Sequence, residues 1–126
     1  MGKEKIPKDA NTYIVMIFNI LCKDFPTPQM VNPSEIGDDR AYCIDVLDWL
    51  ETEGYIRYKM EYANGTKVAS ISSLGLEALN SKPKALKGKS IWDAITKVKD
   101  IKELIKTASE LAPLVYIAFN SLRQLK

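Results

Sequence analysis

Carboxylates are the most concentrated reactive groups in this sequence, and they fall in one short segment. Residues 38–53, DDRAYCIDVLDWLETE, carry six Asp or Glu side chains and one cation, Arg40. Carboxylates can coordinate a hard metal ion, transfer protons, or attract a basic surface. The spacing of these six gives no closed coordination set, so we predict no metal site. Attraction of a basic partner is the chemistry that the segment favours.

The residues that the sequence lacks argue against catalysis. It contains no His, which removes the commonest general base and the usual imidazole ligand. It also has no glycine-rich phosphate-binding loop and no CxxC pair. Cys22 and Cys43 lie in apolar helical patterns, which predicts buried hydrophobic residues rather than a disulfide or a metal site. We therefore expect a non-enzymatic protein with no cofactor, metal or small-molecule substrate.

Charge is divided unevenly along the chain. Residues 1–81 hold 8 Lys or Arg and 12 Asp or Glu, a net charge of −4, whereas residues 82–126 hold 10 and 4, a net charge of +6. This division matters more than the overall +2, because charges act within a Debye length of about 10 Å. We find neither a signal peptide nor a run of about 20 apolar residues, so we expect a cytoplasmic protein without a membrane span.

The spacing of apolar residues predicts a mainly α fold with one small β-hairpin. In chain order, we expect a helix up to Phe25, a single turn at 33–37 and the acidic helix 38–53, which Gly54 ends. A hairpin around Asn64-Gly65 should follow, then a short helix begun by Ser72 or Ser73, and then an amphipathic helix from Ser90. The pair Asn64-Gly65 suits the positive φ angles of tight hairpin turns. The predicted organisation is a domain at 1–81, a basic linker at 82–89 and a C-terminal helical extension at 90–126.

The acidic helix has an apolar side and an acidic, aromatic side. Projected at 100° per residue, the apolar side consists of Cys43, Val46, Leu47 and Leu50. The opposite side carries the candidate partner-binding residues Asp38, Tyr42, Asp45, Asp48 and Trp49. Exposed Trp and Tyr rings often anchor protein interfaces, and carboxylates steer a basic partner. The segment therefore predicts a protein-binding surface, with one alternative left open: the chain's own C-terminal helices could cover it.

The segment IDVLDWLETEGYI, followed by a hairpin and then by ISSLGLEALN, resembles the winged helix-turn-helix domain of MarR- and PadR-type regulators. The resemblance covers about residues 10–81, and Leu50–Gly75 is its most specific part. It implies that residues 38–53 form a DNA-reading helix and that the hairpin forms the wing. Two features depart from the family: the middle helix is reduced to a single turn, and the reading helix is acidic where DNA readers favour Arg, Lys, Asn and Gln.

Basic side chains on the hairpin and in the linker make duplex DNA the alternative partner. The candidate contacts are Arg57, Lys59 and Lys67 on the hairpin, and Lys84, Lys87 and Lys89 in the linker. These cations could neutralise backbone phosphates, although solvated strand edges carry the same residue types. The carboxylates of helix 38–53 oppose this reading, because each adds repulsion close to a phosphate.

The C-terminal segment carries an apolar seam with alternating spacings of four and three residues. The seam consists of Leu104, Ala108, Leu111, Val115, Ala118, Leu122 and Leu125, and we take Leu104, Leu111, Val115, Ala118 and Leu122 as candidate dimerisation residues. Pro113 lies within the seam, which leaves a kinked helix or two separate helices open. Such a seam must be buried against the chain's own domain or against a second copy, and we favour a homodimer.

The sequence thus predicts a small non-enzymatic regulatory or adaptor module. Its expected partner is a protein or a second copy of the chain, bound through the acidic helix and the C-terminal helices. A transcription regulator that binds duplex DNA through the wing and the basic linker is the alternative. A structural or inhibitory protein whose tail binds a partner helix is a third hypothesis.

Overall fold

The structure is a computed structural model that describes residues 10–124, with side chains described as far as Leu122. Its helices are α1 (Ala10–Cys22), α2 (Arg40–Thr52), α3 (Ser73–Leu79), α4 (Ile91–Thr96) and α5 (Ile101–Gln124). Its strands are β1 (Gln29–Val31), β2 (Ile56–Glu61) and β3 (Lys67–Ile71), and two 3-10 helices span Pro33–Glu35 and Lys84–Leu86. The expected fold class, mainly α with a small hairpin, is confirmed.

Helix α1 lies at the centre of the fold. Every residue from Thr12 to Phe18 is buried, and the helix packs against α2, α4, α5, β1 and β3. The helix is apolar on nearly all sides and is correspondingly buried on nearly all sides. It ends at Cys22 rather than at Phe25, and Asp24 then takes a left-handed conformation with φ of 54°.

The sheet is antiparallel and has the strand order β1-β3-β2. Strands β2 and β3 are the predicted hairpin, whereas β1 was not predicted, because three residues carry too little pattern. The turn also differs from the prediction: within it only Gly65 has a positive φ, at 92°. The Gly65 amide donates to the Tyr62 carbonyl at 3.0 Å, and the Tyr62 amide donates to the Thr66 carbonyl at 2.9 Å. The loop is therefore the three-residue type, a turn followed by a left-handed glycine.

Three of the other predicted local features are found. The single turn is the 3-10 helix at Pro33, and its Asn32 cap accepts a hydrogen bond from the Ser34 amide at 3.0 Å. Gly54 ends α2 with φ of 89°, and the Ser72 side chain caps α3. Each of these depends on a side chain and its nearest neighbours in sequence, which is why the pattern alone predicts them.

The amphipathic helix predicted from Ser90 is interrupted. Ser90 and Asp93 form a capping box at the start of α4, but α4 ends at Thr96 and α5 begins at Ile101. The break has a local cause, because the Asp100 carboxylate accepts a hydrogen bond from the Glu103 amide at 2.9 Å and so caps a new helix. Helix α5 then continues without a break through Pro113.

Helix α5 packs against α1 and α3 within one chain. Its predicted dimerisation residues lie in the core: Leu104, Leu111, Val115 and Ala118 are buried, and Leu122 is partly buried against the same cluster. Leu125, the last residue of the seam, lies outside the described residues. The seam is therefore not a surface of the single chain, and burial against the chain's own domain, the alternative left open, is what the structure shows. The buried residues of α4 and α5 belong to the same core cluster as those of α1, α2 and α3.

Candidate protein-binding groove

Helix α2 is positioned by a side-chain cap and by an apolar side that faces the core. The Asp39 carboxylate accepts a hydrogen bond from the Tyr42 amide at 2.9 Å, which fixes the start of the helix. The predicted core residues Cys43, Val46, Leu47 and Leu50 are all buried. Beside this buried side, one stripe of the helix meets the hairpin, and Trp49 on another side meets Tyr116 of α5.

The hairpin lies along the first of these sides. Arg40, Ile44 and Asp48 are spaced four residues apart, so they form a single stripe on α2. The Arg40 guanidinium donates to the Asn64 carbonyl, and the Ile44 side chain lies so close to Gly65 that a Cβ there would be 2.7 Å from Cδ1. The hairpin tip is therefore folded against α2 rather than held away from it.

Asp48 is engaged by the base of the hairpin. The Tyr58 hydroxyl donates to Asp48 Oδ1 at 2.7 Å, and Lys67 Nζ lies 3.9 Å from the same oxygen. Burial, together with the hydrogen bond to Asp48, raises the pKa of Tyr58, so its hydroxyl stays protonated and keeps its role as a donor. Asp48 was predicted as a partner-binding carboxylate, but within the chain it already has two partners.

Lys67 does not lie where a DNA contact requires it. Its side chain is only 8% exposed, and its ammonium group lies 2.8 Å from Glu61 Oε1 and 5.0 Å from the centre of the Tyr58 ring. Lys67 was predicted as an exposed DNA contact, whereas its ammonium group faces inward to two carboxylates, Glu61 and Asp48. Most lysines are exposed, but Lys67 alternates with Ala69 and Ile71 along β3, and this spacing of two was the signal that it shares their buried face.

The second side of α2 carries aromatic rings. Trp49 is 37% exposed, and its ring contacts two tyrosines, with ring centroids 6.2 Å from Tyr55 and 6.3 Å from Tyr116. Tyr42 is half-buried and meets Tyr13 edge-on, with centroids 5.4 Å apart. The two rings predicted as one exposed ridge are thus held by different neighbours, and Tyr116 of α5 covers part of Trp49.

A groove opens between α1, α2 and α5 beside the Trp49 ring. It has a volume of about 350 Å³ and is lined by Ala10, Ile14, Asp45, Val46, Trp49 and Tyr116. Its walls are mainly apolar, and Asp45 is the carboxylate among its lining residues. Asp45 and Asp38 are both exposed, and neither forms an ion pair with another residue in the described part of the chain. The groove can therefore bury an apolar side chain and meet a cation beside it.

The predicted DNA-contacting cations other than Lys67 are exposed. Arg57 and Lys59 lie on β2, and Lys84, Lys87 and Lys89 lie on the connection between α3 and α4. Sequence reasoning placed these five correctly on the surface. It missed Tyr116 as part of the groove, and the position of Tyr116 off the seam of α5 was no signal, because Phe119 also lies off the seam and is buried in the core.

The two thiols behave as predicted for buried hydrophobic residues. Cys22 and Cys43 are both free and buried, and burial raises the pKa of each thiol to about 12.

Within residues 10–124, no group of three Cys, Asp or Glu side chains lies close enough together to hold a metal ion. Among the helices of the same segment, none combines the length and apolar character needed to cross a bilayer.

Comparison of the chain with protein-family models, with curated proteins and with solved structures finds no match in any of the three.

Proposed function

We propose that the protein is a non-enzymatic binding module that docks a basic, apolar segment of a protein partner in the groove between α1, α2 and α5. The observation that carries this proposal is the position of Trp49. Its ring stays more than one third exposed although two tyrosines pack against it, and it borders an apolar groove. A partly exposed Trp beside a pocket is the type of residue that anchors protein interfaces.

The chemistry of the groove defines the partner segment. An apolar side chain would fill the space between Ile14, Val46 and Tyr116. A Lys or Arg next to it would meet Asp45 at the groove, and Asp38 would add to the negative field at the start of α2. Such a carboxylate contributes mainly to the rate and orientation of encounter, whereas burial of the anchor contributes most of the affinity.

Fluorescence of Trp49 tests the proposal. The chain has two tryptophans, and Trp92→Phe leaves Trp49 as the sole reporter. A short amphipathic peptide of leucine and lysine should shift its emission on titration, whereas the leucine–glutamate counterpart should not. Asp45→Lys should weaken binding of the lysine peptide about tenfold, which corresponds to a loss of about 1.4 kcal/mol in binding free energy. Glu51→Lys, an equal charge change at an exposed position of α2 outside the groove lining, is the matched control.

Equal responses to both peptides, or an unchanged affinity in Asp45→Lys, would contradict the proposal. A circular dichroism spectrum of each variant separates loss of binding from loss of the fold. Tyr42 is less suitable for substitution than Asp45, because its ring packs on the buried Tyr13.

Binding of duplex DNA is the second candidate function. The exposed cations of β2 and of the connection between α3 and α4 support it. The order of elements, helix, 3-10 turn, helix, hairpin and helix, also supports it, and from this order we propose a relationship to the winged helix-turn-helix domain. The exposed carboxylates of α2 and the inward position of Lys67 oppose it. A mobility shift of nonspecific duplex that weakens with salt and is lost in Arg57→Glu with Lys59→Glu would favour this candidate.

A further inference from the structure

The outer face of the sheet carries a row of three apolar side chains, in which two exposed methionines flank a partly buried valine. Met30 of β1 and Met60 of β2 are both paired with Val68 of β3, so the three residues form one cross-strand row. They stand on the face opposite the buried Ala69 and Ile71. Met30 is 61% exposed and Met60 is 51% exposed. We call Met30, Val68, Met60 and the adjacent exposed Tyr62 the methionine surface.

A β-bulge places Met60 on this face. In a strand with strict alternation, Met60 would point to the same side as Tyr58, which faces α2. The register shift between Tyr58 and Met60 leaves Lys59 as the extra residue, so Met60 turns outward and Glu61 turns inward to Lys67. Bulges re-aim side chains in this way, and here the bulge exposes a methionine that regular pairing would have directed toward the domain.

Two cations accompany the methionine surface. Arg57 is paired with Ser70 on the same face of the sheet, and Lys59 is exposed at the bulge. Within residues 10–124, neither side chain lies at ion-pair distance from a carboxylate. On the opposite face, by contrast, Lys67 is held by Glu61. The outer face therefore combines uncovered apolar area with positive charge that nothing in the described chain neutralises.

We propose that the methionine surface is a second docking site, which binds an acidic, apolar segment of a protein partner. Apolar side chains of the partner would cover Met30, Val68 and Met60, and its carboxylates would meet Arg57 and Lys59. Methionine side chains are flexible and polarisable, so they adapt to apolar partners, and Met, Arg and aromatic residues are enriched in interfaces. The site is independent of the groove beside Trp49 and prefers the opposite charge.

Two other occupants fit the chemistry of this surface less well. Single-stranded nucleic acid would need aromatic rings for base stacking, and Tyr62 is the exposed ring that the surface offers. A second copy docked face to face would bring the same cations, Arg57 and Lys59, of both chains into one interface. Like charges at an interface oppose association, so a symmetric pair gains less than an acidic partner does.

Methyl NMR of methionines labelled with ¹³C at the ε position tests the proposal on the full chain. The probes are a short amphipathic peptide of leucine and glutamate and its leucine–lysine counterpart. The glutamate peptide should shift the Met30 and Met60 resonances, whereas Met16, which is buried in α1, should stay unchanged and serves as the internal control. The double variant Arg57→Glu with Lys59→Glu should weaken binding of the glutamate peptide at least tenfold. Lys84→Glu with Lys87→Glu, the same charge change at exposed linker positions, should leave it unaltered.

Each competing explanation gives a different result in the same experiment. Equal shifts with both peptides, or no shift with the glutamate peptide at millimolar concentration, overturn the proposal. Shifts of Met30 and Met60 on addition of a nonspecific DNA duplex or single strand indicate a nucleic-acid surface instead. Shifts on dilution of the protein alone indicate self-association. Because the groove is reported by Trp49 and this surface by Met30 and Met60, either proposal can fail without the other.

Discussion

Replacement of Leu111 by alanine tests whether α5 belongs to the core of the single chain. Leu111 is 2% exposed and lies in the same core cluster as the buried side of α1. Burial of a leucine stabilises a fold by about 1.5–3 kcal/mol, and the cavity left by its truncation raises the loss to about 2–5 kcal/mol. A small domain is stable by only about 5–15 kcal/mol, so Leu111→Ala should remove a large part of the free energy of unfolding.

The matched control is Ile117→Ala on the same helix. The Ile117 side chain is 62% exposed, so its truncation should change the free energy of unfolding by no more than about 0.5 kcal/mol. Urea denaturation is measured by circular dichroism at two protein concentrations tenfold apart. For a monomeric core, the wild-type midpoint should be the same at both concentrations, and the difference between the two variants should also be the same.

A dimer built on the α5 seam makes the opposite prediction. Its free energy of unfolding depends on protein concentration, and each tenfold dilution costs about 1.4 kcal/mol. A wild-type midpoint that falls on dilution, together with a Leu111→Ala variant no less stable than Ile117→Ala, would refute the placement of α5 against α1.

Three further predictions concern stability. Burial raises the pKa of Cys22 and Cys43 from 9.0 to about 12, so the unfolded chain loses these two protons before the folded chain does. The contribution of the thiols to the free energy of unfolding should therefore be complete below pH 9 and be lost as the pH rises toward 12. For the two thiols the loss is roughly 3 kcal/mol at pH 10, which urea titrations at several pH values would measure. Gly75→Ala places a Cβ 2.1 Å from the Tyr55 carbonyl oxygen, so it should cost more than about 3 kcal/mol, and an unchanged melting temperature would contradict the close approach. Lys67→Met removes the cation between β3 and α2, so it should lower the free energy of unfolding and speed amide hydrogen exchange in the hairpin. The loss should be limited to about 1–2 kcal/mol, because the two carboxylates left behind are more than half exposed to water. Exchange rates equal to wild type would argue against that role.

Local features of the fold were predictable because their causes are local. The 3-10 turn after Asn32, the left-handed Gly54 and the cap at Ser72 each depend on the preferences of one residue and on neighbours within a few positions. The buried side of α2 follows from helical periodicity alone. None of these features depends on tertiary contacts.

The remaining features depend on contacts between distant parts of the chain. Trp49 and Tyr116 meet although 67 positions separate them, and no pattern in either segment names the other as its partner. The seam of α5 gave the correct buried side but not what covers it, because a spacing of four and three residues is the same whether the partner helix is in the same chain or in another. The pairing of Lys67 with Glu61 depends on the bulge at Lys59, which turns Glu61 inward and which the alternating strand pattern does not encode.

The hairpin changes what the acidic helix can contribute to binding. It engages Asp48 through Tyr58 and Lys67, which leaves Asp38 and Asp45 as the exposed carboxylates of the predicted set that form no ion pair within the described residues. Two rim charges in water give modest attraction that salt screens, so they favour encounter with a basic partner more than they hold it. Affinity at the groove must then come from burial of an apolar anchor beside Trp49. The same bulge that turns Glu61 toward Lys67 also turns Met60 outward, so a single register shift both gives Lys67 a carboxylate partner on the inner side of the hairpin and creates the apolar character of the outer side.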